Sequence, residues 1–209
     1  MRAAIAHLRS TCPIFAAHIK RTGPCGLKRE LDQDPYEALV RAIAFQQLHG
    51  NAARAILGRF IALYPAVPFP TPAMALSVDD ATMRACGFSA SKTAAIRDIA
   101  AKAAEGVVPT RRAAMRLTDA ALIERLTAIR GVGRWTVEML LMFTLGRNDI
   151  LPVDDFGVRE GYRVLYELDA QPHPRDMAAI GEAWAPWRSV ATWYLWRAAD
   201  QGKTVKLPG

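Results

Sequence analysis

The sequence predicts an all-α protein, and three observations carry that prediction. Apolar residues recur at three- and four-residue spacing in segment after segment. Helix-capping residues stand where those segments begin. No stretch alternates with the period of two that a half-buried strand requires.

Taken in order, Asp34-Pro35-Tyr36-Glu37 has the form of a capping box, with proline at the first helical position. Tyr36, Leu39, Val40, Ile43 and Ala44 behind it form one apolar face. A second helix is expected over Ala52 to Leu63, before Pro65, Pro68, Pro70 and Pro72 break the chain. Thr71-Pro72, Ser77 and Ser89 each read as a helix start; the last helix is alanine-rich and stops at Gly106. Thr118 caps a helix ending near Ile129, and Arg134 to Leu145 follows a glycine turn and stops at Gly146. Further helices begin near Asp155, at Pro174 and at Arg188, the last expected to end before Gly202. The sum is roughly ten short helices. The expected organisation is two helical lobes, residues 36–145 and residues 1–35 with 146–209, flanking a cleft.

Composition narrows the function classes. With 51% hydrophobic and 22% charged residues in 209, the chain can bury a core and is not of the disordered type. A formal net charge of +7 and a pI near 9.7 favour a polyanionic partner, nucleic acid first. The three cysteines, Cys12, Cys25 and Cys86, lack CxxC spacing, which argues against a disulfide framework or a zinc site. There is no apolar run long enough to span a membrane and no signal-peptide h-region, so a cytoplasmic, nucleoid-associated protein is expected.

Two segments stand out chemically. Ile129-Arg130-Gly131-Val132-Gly133-Arg134-Trp135-Thr136 reads as a helix, a tight glycine turn and a second helix. Backbone N–H groups in such a turn, at a helix start, can hold a nucleic-acid phosphate. Leu126 and Ile129 on one side, with Val132, Val137, Leu140 and Leu141 on the other, would lock the helices together. Thr136 stands where a dinucleotide-binding GxGxxG would place its third glycine, and no strand precedes the turn, which excludes a Rossmann reading. The second segment is Leu151-Pro152-Val153-Asp154-Asp155, whose last residue stands 22 positions after Gly133. Asp154 is expected to cap the next helix and Asp155 to face the cleft, where the positive end of the helix favours a negative charge. Arg159, four residues on, is spaced for a surface ion pair with Asp155, and its role stays open. Met139 and Met142 read as core filler.

Together these blocks resemble the helix-hairpin-helix DNA glycosylases. Arg134-Trp135-Thr136, Leu151 to Asp155, and Trp184-Ala185-Pro186-Trp187-Arg188-Ser189 look like the alkylpurine branch, DNA-3-methyladenine glycosylase II. Phe45-Gln46-Gln47-Leu48-His49 and Gly87-Phe88-Ser89-Ala90-Ser91-Lys92 resemble further blocks of that branch, and the resemblance covers roughly residues 34 to 200.

The resemblance implies that Asp155 is the catalytic carboxylate. Trp135, Trp196 and Phe45 would form a base pocket that favours a cationic purine by cation–π attraction. Gln47, Leu48 and His49 would fill the space left by the flipped nucleotide, with His49 the favoured wedge and Leu48 its alternative. Gly131, Gly133 and Arg134 would hold phosphate. The backbone carbonyls of Thr127, Ile129 and Val132 would hold a structural Na⁺ or K⁺. Lyase-competent relatives carry lysine where this chain has Trp135, which implies a monofunctional enzyme. Iron–sulfur relatives carry four cysteines near the C-terminus, whereas no cysteine follows Cys86, so no cluster is expected and no cofactor is needed for catalysis. No N-terminal β domain of the kind found in larger members is expected. Arg188 would either contact DNA or orient the acid. The implied function is excision of alkylated purines from double-stranded DNA by a monomer in base excision repair. A glycosylase for another lesion, such as deaminated purines, and a non-catalytic DNA-binding protein remain the alternatives.

Overall fold

The computed structural model describes the backbone of residues 1–205 and the side chains of residues 1–202. Helices account for the secondary structure, with no strand among the described residues.

The chain begins with α1 (Arg2–Thr11) and α2 (Pro13–Thr22), joined at Cys12, whose Sγ accepts the Phe15 N–H. Eight helices follow: α3 (Pro35–Phe45), α4 (Gly50–Ala62), α5 (Pro72–Ser77), α6 (Asp80–Cys86), α7 (Ala90–Ala104), α8 (Arg111–Ala114), α9 (Asp119–Thr127) and α10 (Arg134–Met139). A π-helical turn, Leu140–Thr144, prolongs α10, its wider spacing marked by the Leu145 N–H bonding the Leu140 carbonyl. The chain ends in α11 (Phe156–Leu165), α12 (Pro174–Gly181), a 3₁₀ turn (Glu182–Trp184) and α13 (Arg188–Val205).

Side-chain caps explain most of these starts. Asp34, Thr71, Ser89 and Thr118 each accept a backbone N–H from the first turn they precede. The box at Asp34 is not reciprocal, because Glu37 turns to Arg41 at 2.7 Å. Two sequence expectations shift. Ser77 closes α5 and starts nothing; α6 is capped by Asp79, whose carboxylate accepts both the N–H and the hydroxyl of Thr82. The last helix passes Gly202 and runs to Val205, since one glycine in an otherwise regular helix costs only about 1 kcal/mol.

Two compact units result. One joins Met1–Arg29 to Gly146 onward, and its core gathers Leu8, Phe15, Trp184, Val190, Tyr194 and Leu195, with Phe15 stacked on Trp184. The other is Glu30–Leu145, with a core that includes Leu39, Ile43, Leu57, Phe60, Ile96, Leu122 and Leu141. Residues 30–34 belong to this second unit, where the Glu30 N–H donates to the Phe143 carbonyl.

Candidate active site

The hairpin of the second unit is built around a buried seam. Leu126, Ile129, Val132, Val137, Leu140 and Leu141 are all buried, so α9 and α10 are fixed to each other by the residues the spacing singles out. The turn between them closes with the Ile129 N–H on the Leu126 carbonyl and the Val132 N–H on the Ile129 carbonyl. Gly131 takes φ +77°, which L-residues rarely adopt, and a Cβ there would sit 3.0 Å from the Ala95 Cβ. Gly133, the N-cap of α10, faces open space instead. A long-range tie anchors the turn: the Arg130 N–H donates to the Asp98 carboxylate of α7 at 2.7 Å. Arg134 is 59% exposed yet held by Glu138, which is almost fully buried and accepts from its Nε at 2.9 Å. The buried carboxylate thus aims a surface guanidinium.

Gln47, Leu48 and His49 form the exposed link between α3 and α4. Gln47 adopts φ +56°, uncommon for a residue with a side chain, and His49 is the N-cap of α4. Two neighbours that sequence reasoning did not single out hold this link. The Lys92 ammonium donates to the carbonyls of Ala44 and Gln46 at 2.9 and 2.7 Å, and the Gln46 side-chain amide donates to the Gly131 carbonyl at 3.1 Å.

Phe45 lines an open cavity of about 430 Å³ in the same unit, with Arg41, Thr136, Met139 and Phe143 among its other walls. Met139 therefore faces space that a ligand can enter, whereas Met142 is fully buried core. Trp135 is 49% exposed in the first turn of α10 and does not line that cavity.

Asp155 lies in the other unit, and the helix cap expected of Asp154 falls to Asp155 instead. Asp155 itself is the N-cap of α11: its Oδ1 accepts the Val158 N–H at 2.8 Å, while Asp154 is exposed outside the helix. The same Oδ1 accepts the indole N–H of Trp196 from α13 at 2.9 Å. Gly157 makes that contact possible, because a Cβ there would approach the Trp196 ring to 2.9 Å and Asp155 Oδ1 to 3.1 Å. Trp196, read from sequence as a pocket wall, is thus a hydrogen-bond donor to Asp155.

The sequence leaves the roles of two arginines, Arg159 and Arg188, open. Arg159 makes no ion pair with Asp155, and its buried Nε has no hydrogen-bond partner among the described residues. The Arg188 guanidinium is engaged by a carboxylate other than Asp155. It forms a two-pronged pair with Asp149, Nε to Oδ1 at 2.7 Å and Nη2 to Oδ2 at 2.8 Å. That guanidinium holds the Asp149 carboxyl below the usual carboxylate range.

Residues 40–186 match the HhH-GPD superfamily base excision DNA repair protein. The chain belongs to that superfamily. It is 45% identical to DNA-3-methyladenine glycosylase 1 of Schizosaccharomyces pombe, over 90% of this chain and 84% of that one. The solved structure of the S. pombe 3-methyladenine DNA glycosylase in complex with abasic DNA superposes with a TM-score of 0.84 at 43% identity, covering 93% of this chain and 95% of that one. The DNA-3-methyladenine glycosidase of Bacillus halodurans gives 0.83 at 31% identity, covering 96% and 91%.

Proposed function

We propose that this protein is a monofunctional DNA glycosylase that hydrolyses the N-glycosidic bond of alkylated purines, of the 3-methyladenine type, in double-stranded DNA during base excision repair. The observation that carries the reading is Asp155, held by a helix N-terminus and an indole N–H on a single carboxylate oxygen.

The hairpin provides the docking chemistry. Gly133 leaves its turn open to a phosphate, and Arg134 presents a positive charge beside it. The target bond is inside the duplex, so the nucleotide must rotate out, at a cost of a few kcal/mol that is smallest for damaged pairs. His49, with Leu48 beside it, fills the vacated stack. Phe45, Trp135 and Trp196 offer aromatic faces to the extruded purine, and a ring stacked on a cationic base is worth about 0.5–2 kcal/mol.

Alkylation already makes the base a good leaving group. When the glycosidic bond breaks, its electron pair goes to the base and cancels the positive charge there. The sugar acquires oxocarbenium character, which the Asp155 carboxylate stabilises while it accepts a proton from the incoming water. Trp135 cannot form a Schiff base, so the reaction stops at the abasic site.

The carbonyls of Thr127, Ile129 and Val132 suit a Na⁺ or K⁺ ion. Ile129 already accepts the Val132 N–H, and among the described residues no backbone hydrogen bond outside the helices ends on Thr127 or Val132. Such an ion adds positive charge beside the phosphate site. The enzyme acts as a cytoplasmic monomer.

The test is release of free bases from methylated duplex DNA, with the product strand examined for breaks. Free 3-methyladenine with an unbroken abasic strand is expected. Intact DNA binding without release of any alkylated base would leave a glycosylase for another lesion, or a non-catalytic binder.

A further inference from the structure

We propose that Lys92 and Gln46 form a strut that presets the Gln47-Leu48-His49 loop for insertion into DNA and ties it to the phosphate-binding hairpin. This inference rests on the reading of that loop as a wedge.

Three consecutive exposed residues, one of them at φ +56°, have little packing of their own to hold one shape. At the end of α3, carbonyls that would continue the helix have no partner within it. Lys92 supplies one. It lies in the first turn of α7, 48 residues from Ala44, and its ammonium donates to the Ala44 and Gln46 carbonyls. Burial lowers the Lys92 pKa, the cost of bringing a charge into a partly dry site for this contact. Directly beyond it the Gln46 side chain reaches the Gly131 carbonyl inside the hairpin turn.

The result is a continuous chain of hydrogen bonds from α7, through the root of the loop, into the turn that grips phosphate. An ammonium whose protons are directed at two carbonyls is a positioning group and is not a phosphate ligand. Preorganisation of this kind places the loop's ordering cost in the free protein, so the bound complex does not bear it.

The experiment uses a duplex carrying 2-aminopurine beside a tetrahydrofuran site, where fluorescence reports the unstacking that accompanies extrusion of that site and insertion of the loop, without any cleavage. Wild type should raise the fluorescence. Lys92→Met should reduce that rise about tenfold, because two charge-assisted hydrogen bonds to the loop root are removed. Lys92→Arg should recover part of it, and Lys102→Met, a half-exposed lysine of the same helix that pairs with Glu105, should behave as wild type. Salt dependence separates the roles: a positioning lysine leaves the slope of log affinity against log salt unchanged, whereas a phosphate ligand lowers it by about one. A lowered slope with full fluorescence in Lys92→Met overturns the strut. So does a wild-type protein that binds this duplex without any rise, whether or not it excises methylated bases. Loss of excision with normal extrusion counts against the catalytic reading alone.

Discussion

At the residue scale, Asp155 carries two tasks on one oxygen. The N-cap bond to Val158 and the bond from Trp196 fix the carboxylate in two directions, so its orientation is set before DNA arrives. Trp196→Phe keeps a ring but removes the N–H, and kcat should fall about tenfold while KM changes less, since the lost restraint acts on the transition state. Gly157→Ala should act the same way by displacing the indole. In the double variant the two losses should be less than additive, because both work through one contact. Single-turnover rates of the four proteins check this. Sequence pattern could nominate Asp155 but misassigned its neighbour. Either aspartate satisfies a capping rule; in the fold Asp155 Oδ1 accepts the Val158 N–H, and Trp196, 41 residues away, shares that oxygen. Gly157, two positions after the acid, carried a signal that a glycine at a helix start invites, namely close approach by another side chain.

At the element scale, the acid owes its position to a clasp between the start of α13 and the strand-free segment 147–150. Arg188 binds Asp149, the Ser189 hydroxyl donates to the Arg147 carbonyl and accepts the Ile150 N–H, and Thr192 donates to the Ile150 carbonyl. That segment leads directly into Leu151 to Asp155. Arg188→Met should cost about 1 kcal/mol of stability, since both partners are about one third exposed and the pair is screened accordingly. The sign with pH follows from the depressed Asp149 pKa. The stabilisation is complete above the ordinary carboxylate value of 3.8 and disappears as the pH falls through the lower folded value. Urea unfolding at pH 7 and in acid should therefore show wild type and variant converging at low pH. Helix starts were legible because caps such as Asp34, Ser89 and Thr118 act within four residues. The Arg188 clasp and the Lys92 strut were not, because each joins residues about 40 or more positions apart and leaves no local period.

At the scale of the whole molecule, the chain distributes the proposed chemistry over its two units. The unit from Glu30 to Leu145 contributes the hairpin, the wedge loop and the Phe45 cavity, and the unit that resumes at Gly146 contributes Asp155 and Trp196. The all-α class and the family followed from sequence because several short blocks occur in a fixed order, each with its own physical reason. In the proposed reaction the +7 charge provides a sequence-independent attraction to DNA, and Asp155 converts binding into bond cleavage. Asp155→Asn isolates that conversion. Asparagine is as good an N-cap as aspartate and its Oδ1 can accept the same two N–H groups, so the site keeps its shape and loses only its charge. The direct measurement is the single-turnover rate of 3-methyladenine release from duplex DNA by wild type and Asp155→Asn, each with its DNA affinity. Affinity should be unchanged and the rate at least about a hundredfold lower in the variant. Release by Asp155→Asn at the wild-type rate would contradict this reading and remove Asp155 from the chemistry.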